Sequence, residues 1–163
     1  EIKIIKSWEG IVAFSDFDQM NLIDKDGLLT ETLNQIKVKF PDRTTDENIL
    51  WLSQSLLNVL LTTNNLIKRE EFAHAHQSLT TVQKYLLWLI RTVTNKTQHW
   101  ESPTKSLEKD IDQDWYSEFI LTTSDLNPKN INTAFQNSLK ISEKLFDKLN
   151  VGLKLKEILK RIE

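Results

Sequence analysis

The chain has 163 residues, 39% hydrophobic and 27% charged, with a formal net charge of −2. That is enough for one domain with a real core, and the mixed charge argues against a dedicated nucleic-acid binder. It has no cysteine, which excludes disulfides and thiolate metal sites; no apolar run reaches the ~18 residues that span a bilayer, and no signal peptide is visible.

Only 3 glycines and 3 prolines occur, which favours long helices over a many-turned β architecture. The single methionine is Met20, and the chain opens at Glu1 inside an extended-looking run, EIKII. This leads us to expect a fragment of a longer protein.

Residues 1–27 have strand-like patches, with Ile2 and Ile4, then Met20 and Leu22, alternating with polar residues. They read as the edge of a sheet whose other strands are not in this chain, and not as an independent unit. Asp24-Lys25-Asp26-Gly27 is a turn signal. A calcium loop with Gly27 at its turn would close on a glutamate at position 33, which is Leu33. Residues 28–36 suggest a short helix, and Phe40-Pro41-Asp42 a linker.

Thr44 and Glu47 fit a capping box. The helix behind them carries Ile49, Leu52, Leu56, Val59 and Leu66 on one side, widened by Trp51, Leu57, Leu60 and Leu61. The stretch 70–95 predicts the central helix. Phe72, Ala75, Leu79, Val82, Leu86, Leu89 and Val93 recur at steps of three and four, the stripe of a helix buried along one side. Gln77, Lys84 and Arg91 follow one another at steps of seven, almost two full turns, with Trp88 four residues after Lys84. An amide, two cations and an indole on one face suit an anionic site, although the same pattern fits a solvated face.

After a polar connection, KTQHWE, Ser102-Pro103 reads as a helix start for TKSLEKDI. Asp112 can cap a helix bearing Trp115, Phe119 and Ile120. Asn127-Pro128 opens a long helix with Ile131, Phe135, Leu139 and Phe146 inward, ended by Gly152. The tail holds a last amphipathic helix with Leu155, Ile158, Leu159 and Ile162. The expected fold is mainly α: an antiparallel up-and-down helical bundle over residues 41–163, behind a short extended segment, 1–40.

No His-Glu-x-x-His, P-loop, Gly-x-Ser-x-Gly or dinucleotide fingerprint occurs. His74 and His76, two apart on a helix, point about 200° apart and cannot share a metal. Arg91 and His99 are spaced too widely for the short Arg…His motif of bundle-type ribonucleases. The acidic clusters Asp24/Asp26, Glu70/Glu71 and Asp110/Asp112/Asp114 sit at turns or helix starts, where structural roles suffice.

The run KREEFAHAHQSLTTVQKYLLWLIR, then HWESPTKSLEKDI and the Trp-Tyr and Asn-Pro helices, resembles the C-terminal helical domain of lincosamide nucleotidyltransferases. MNLIDKDGLL resembles the last strand and turn of the preceding nucleotidyltransferase domain. The resemblance lies in order and spacing: Arg-x-Glu-Phe-Ala, Gln-Lys…Leu-Ile-Arg, then Trp and Lys-x-Leu-Glu-Lys. It implies AMP transfer from Mg-ATP to a lincosamide hydroxyl, antibiotic resistance, a cytoplasmic homodimer, and a cleft shared by antibiotic and nucleotide. Two metal ions on carboxylates would clamp the phosphates, but the Gly-Ser and Asp-x-Asp motifs that bind Mg²⁺ and ATP belong to the other domain. Asp24 and Asp26 lack that context, so no metal role passes to them, and this chain by itself is expected to be inactive. The resemblance leaves Lys84 and Arg91 to meet phosphate charge, with Gln77 beside them, and Trp88 and Trp100 as apolar walls. Lys105 and Glu108 match the Lys-x-Leu-Glu spacing. Alternatives are a non-catalytic partner of a minimal nucleotidyltransferase, or a related enzyme with an aminoglycoside acceptor.

Overall fold

The structure, a computed structural model, describes residues 41–162 together with Lys25 and Gly27. The strand-like patches and sheet edge of residues 1–27, the 28–36 helix and the extended segment 1–40 lie outside the described residues. Gly27 itself takes φ +73°, the left-handed conformation that a glycine turn uses. The chain divides between Asp42 and Arg43 into two units, and the second, Arg43–Glu163, is a helical bundle.

Among the described residues there are six α-helices: α1 (Asp46–Lys68), α2 (Phe72–Val93), α3 (Leu107–Asp110), α4 (Gln113–Ile120), α5 (Pro128–Lys148) and α6 (Leu153–Lys160). A 3-10 turn, Thr97–His99, follows α2. Helix α2 is the centre. It packs against α1, α4 and α5, while α6 closes over α1 and α5. Thr63 and Ser78 share a hydrogen bond of 2.7 Å near the α1–α2 joint, and the Trp51 and Tyr85 rings meet at 6.1 Å far from it. Near meets near and far meets far, so these two helices run antiparallel.

The stripe expected on α2 faces inward. Ala75, Leu79, Val82, Leu86 and Leu89 are buried, and Phe72 and Val93 are half-buried against the same core. The burial then widens: Leu87, Ile90, Arg91 and Thr92 are buried too. Residues 96–111 wrap over the last turns of α2 and cover the face that would otherwise meet water. On α1 the stripe is narrower than its composition suggests. Trp51 and Leu61 are exposed, because the neighbours of α1 cover only part of its circumference. Ile120, at the end of α4, is exposed as well.

The helix ends explain several local differences. Thr45, not Thr44, is the N-cap of α1, and its hydroxyl accepts from the Asn48 amide at 3.3 Å. Asn127 caps α5 as expected, accepting from the Lys129 amide, with Pro128 in the first turn. The Asn127 amide and the Asn130 side chain, both donating to Asp125, hold that exposed carboxyl below its ordinary range. Gly152 does not end α5. Asn150 does, at φ +53°, with the Val151 amide bonded back to Phe146 O, and Gly152 becomes the N-cap of α6.

Ser102-Pro103 does not start a helix either. The chain turns from Ser102 to Ser106 and becomes helical only at Leu107. In a helix the Pro103 carbonyl would accept from the Leu107 amide; here it accepts from Arg91 Nε.

Helices α1, α2 and α5 share one terminator, in which the residue after the C-cap is left-handed and the next amide reaches back five residues. Asn95 and Asn150 suit that conformation, but after α1 the position holds Glu70 at φ +60°. Its carboxylate also sits at the negative end of the helix dipole. Glu70→Gly should therefore stabilise the protein by about 0.5–1 kcal/mol. Urea denaturation reads this as a higher midpoint at constant slope, and a lower midpoint would contradict it.

Candidate functional site

Four aromatic rings on one side of the bundle form a continuous run. Trp51 of α1 meets Tyr85 of α2 edge-on at 6.1 Å, Tyr85 meets Trp88 at 5.3 Å, and Trp88 stacks on Trp100 at 5.7 Å and 19°. Two cations flank it. Lys84 Nζ lies 4.8 Å from the centre of the Trp88 ring, and the Arg43 guanidinium carbon 4.9 Å from that of Trp100. Lys84 and Trp88 are one turn apart on α2, so their meeting is local geometry. Trp100 is brought in by the 96–111 segment, and Trp88 Nε1 donates to Trp100 O at 2.8 Å.

Each of the two stacked indoles therefore already touches the other and one cation. The open end of the run is Trp51, 52% exposed, beside exposed Leu50. An exposed indole continuous with an ordered aromatic cluster marks a surface suited to an apolar ring. Lys84 is exposed, and among the described residues no carboxylate lies within ion-pairing distance of it.

Arg91 does not join Lys84. The two share a helix line, but Arg91 is 0% exposed and points into the wrap of residues 96–110. Its Nε donates to Pro103 O at 2.8 Å, one terminal nitrogen to Lys96 O and to Asp110 Oδ2, both at 3.0 Å, and the other to Lys105 O at 2.7 Å. A guanidinium so enclosed offers no donor to a phosphate, which corrects the expectation of a Lys84–Arg91 pair open to a shared cleft. The cause lies outside the helix: Lys84 is about 10 Å earlier along the axis and escapes the wrap.

The remaining expected site residues are scattered. Trp88 and Trp100 lie together, whereas Gln77 is exposed two turns before Lys84, outside every aromatic contact described above. The Lys105 and Glu108 side chains are exposed on the wrap; only the Lys105 carbonyl takes part, through Arg91. His76 Nε2 is bonded to Ser124 O, and His99 lies 3.7 Å from Asp110. Trp51, Tyr85 and Arg43 carry the cluster but are not among the residues expected from sequence. Tyr85 was legible beside Trp88, three residues on; Trp51 comes from α1 and Arg43 from the residues just before it, and both needed the packing.

The hollow between α5 and α6 is neutralised from within. Its Asp147 is bonded to Lys156 at 2.7 Å, which holds the Asp147 carboxyl below its ordinary range. Among the described residues no group of three His, Cys, Asp or Glu is placed to hold a metal ion, and no helix is long and apolar enough to cross a membrane.

Fold and cluster together define a helical domain with an aromatic, cation-flanked surface. A family model described as "Lincosamide nucleotidyltransferase-like, C-terminal domain" matches residues 45–163. The chain belongs to that family. The match begins at the α1 N-cap and covers all six helices. A comparison with curated proteins gives no match.

Proposed function

We propose that this chain is the acceptor-side domain of an enzyme that transfers AMP from Mg-ATP to a hydroxyl of a lincosamide antibiotic. The family match supports the class of reaction, and the aromatic cluster is the observation that carries the reading. Trp51 and Tyr85 offer an apolar wall, and Lys84, with no carboxylate in ion-pairing distance among the described residues, a positive charge for phosphate leaving the reacting centre. The described residues do not fit Mg²⁺, so in this reading the metal and its carboxylates belong to the nucleotidyltransferase domain that accompanies this one. The homodimer implied by the family is part of the same proposal. Lys84 on the rim disfavours an aminoglycoside, whose several ammonium groups it would repel, whereas Arg43 lies 4.0 Å from the Glu101 carboxylate.

The test is transfer of labelled AMP by the protein carrying both domains, with a lincosamide and an aminoglycoside offered separately. Label on the lincosamide supports the reading; label on the aminoglycoside alone, or on neither, overturns it. In the same enzyme Lys84→Ala should lower turnover by about tenfold or more. Its exposure keeps the effect below that of an enclosed donor. Unchanged steady-state kinetics would remove Lys84 from the site.

A further inference from the structure

Arg91 is expensive to bury. An apolar side chain of similar volume would escape that desolvation cost, but it would leave the polar groups around it without their donor. What it does there is particular. Three of its four hydrogen-bond acceptors are backbone carbonyls of Lys96, Pro103 and Lys105, and the fourth is the Asp110 carboxylate. These groups belong to one irregular segment whose regular parts are only the 3-10 turn Thr97–His99 and the single turn α3. Ser106 within it is left-handed, at φ +52°. Pro103 and Lys105 lie outside the segment's two regular turns, and the planar fork of a guanidinium reaches carbonyls in several directions at once. Trp88, three residues before Arg91 and so on nearly the same face of α2, holds the same segment at Trp100 O.

We propose that Arg91 is a positioning residue of the aromatic site. Its guanidinium, caged by backbone carbonyls, sets residues 96–110 so that the Trp100 indole stacks on Trp88 between Lys84 and Arg43. The proposal rests on reading the aromatic cluster as the ligand-contacting surface. It gives Arg91 a task at one remove from the ligand. The exposed side chains of Lys105 and Glu108 ride on the same segment, so their placement follows from Arg91 as well.

The test uses the protein with both domains and the variants Arg91→Lys, Trp100→Ala and the double variant. Lysine donates from one point and cannot span three carbonyls. The first readout needs no ligand: the circular-dichroism signal of the coupled indole pair, which should vanish in Trp100→Ala and fall by more than half in Arg91→Lys. The second is the dissociation constant for a lincosamide. It should rise roughly tenfold in each single variant and no further in the double, because both act through one indole. Ile90→Val, a core change on the same helix, should move neither readout. If Arg91→Lys does not fold, Arg91→Gln takes its place; it is uncharged, and its amide donates to two carbonyls at most. A retained indole-pair signal overturns the proposal, and so do additive losses in the double variant. Wild-type AMP transfer decides the proposed function separately, since the indole-pair signal stands whichever acceptor the enzyme takes.

Discussion

Arg91→Met is expected to lower the unfolding free energy by about 3–5 kcal/mol, the cost of removing one partner from a buried charge network. Methionine fills much of the same volume, so the loss comes from polarity and not from a cavity. Three backbone carbonyls lose the donor that Arg91, itself 0% exposed, supplies; Pro103 O is buried, and such a group left unpaired costs about 1–3 kcal/mol, while Lys96 O and Lys105 O lie nearer water. Asp110 is only partly buried and can rehydrate, and the segment can loosen to admit water; both hold the total below the plain sum. Urea denaturation measures it as a shift in midpoint. The same change at Lys84, exposed on the same helix, should stay within about 0.5 kcal/mol. A loss below 1 kcal/mol at Arg91 would mean that the carbonyls have other partners in solution, and the cage would lose its structural meaning.

Leu86→Ala is expected to cost about 2–5 kcal/mol, the range for a core leucine whose cavity closes only in part. Leu86 is fully buried and lies mid-helix on α2, which packs against α1, α4 and α5. Helices on several sides limit how far the site can collapse, which favours the upper half of the range. Leu153, 78% exposed, is the control: its truncation should change stability by less than about 0.5 kcal/mol. Equal effects at the two positions would contradict the packing described for α2.

The facing of α2 and the start of α5 were legible for the same reason: both depend on contacts within one turn or two of helix. A 3.6-residue period puts Ala75, Leu79, Val82, Leu86 and Leu89 on one side whatever they pack against. Asn127 followed by Pro128 satisfies a helix start with its own side chain and a missing amide hydrogen. Nearest-neighbour choices were less legible. Thr44 and Thr45 are chemically equivalent caps, and only the path of the chain selects Thr45. Asn150 and Gly152 both tolerate the left-handed conformation, and the bond from Val151 to Phe146 selects Asn150.

The candidate site divides in the same way. By itself the sequence determined a helical chain, the inward stripe of its central helix, the nearness of Lys84 and Trp88 one turn apart, and the resemblance that the match over residues 45–163 bears out. Those follow from periodicity, from neighbours one turn apart, and from the order of motifs along the chain. Only the tertiary structure decided that Arg91 faces inward while Lys84, seven residues earlier, faces out, and that Arg43, Trp51 and Trp100 complete the cluster. Nothing within a helix distinguishes Lys84 from Arg91; the difference is made by residues 96–111, which cross the end of α2 and leave the rest of that face to water. A residue's environment is set by what crosses it in space, and an irregular segment without a period of its own carries no sequence signal of where it will lie.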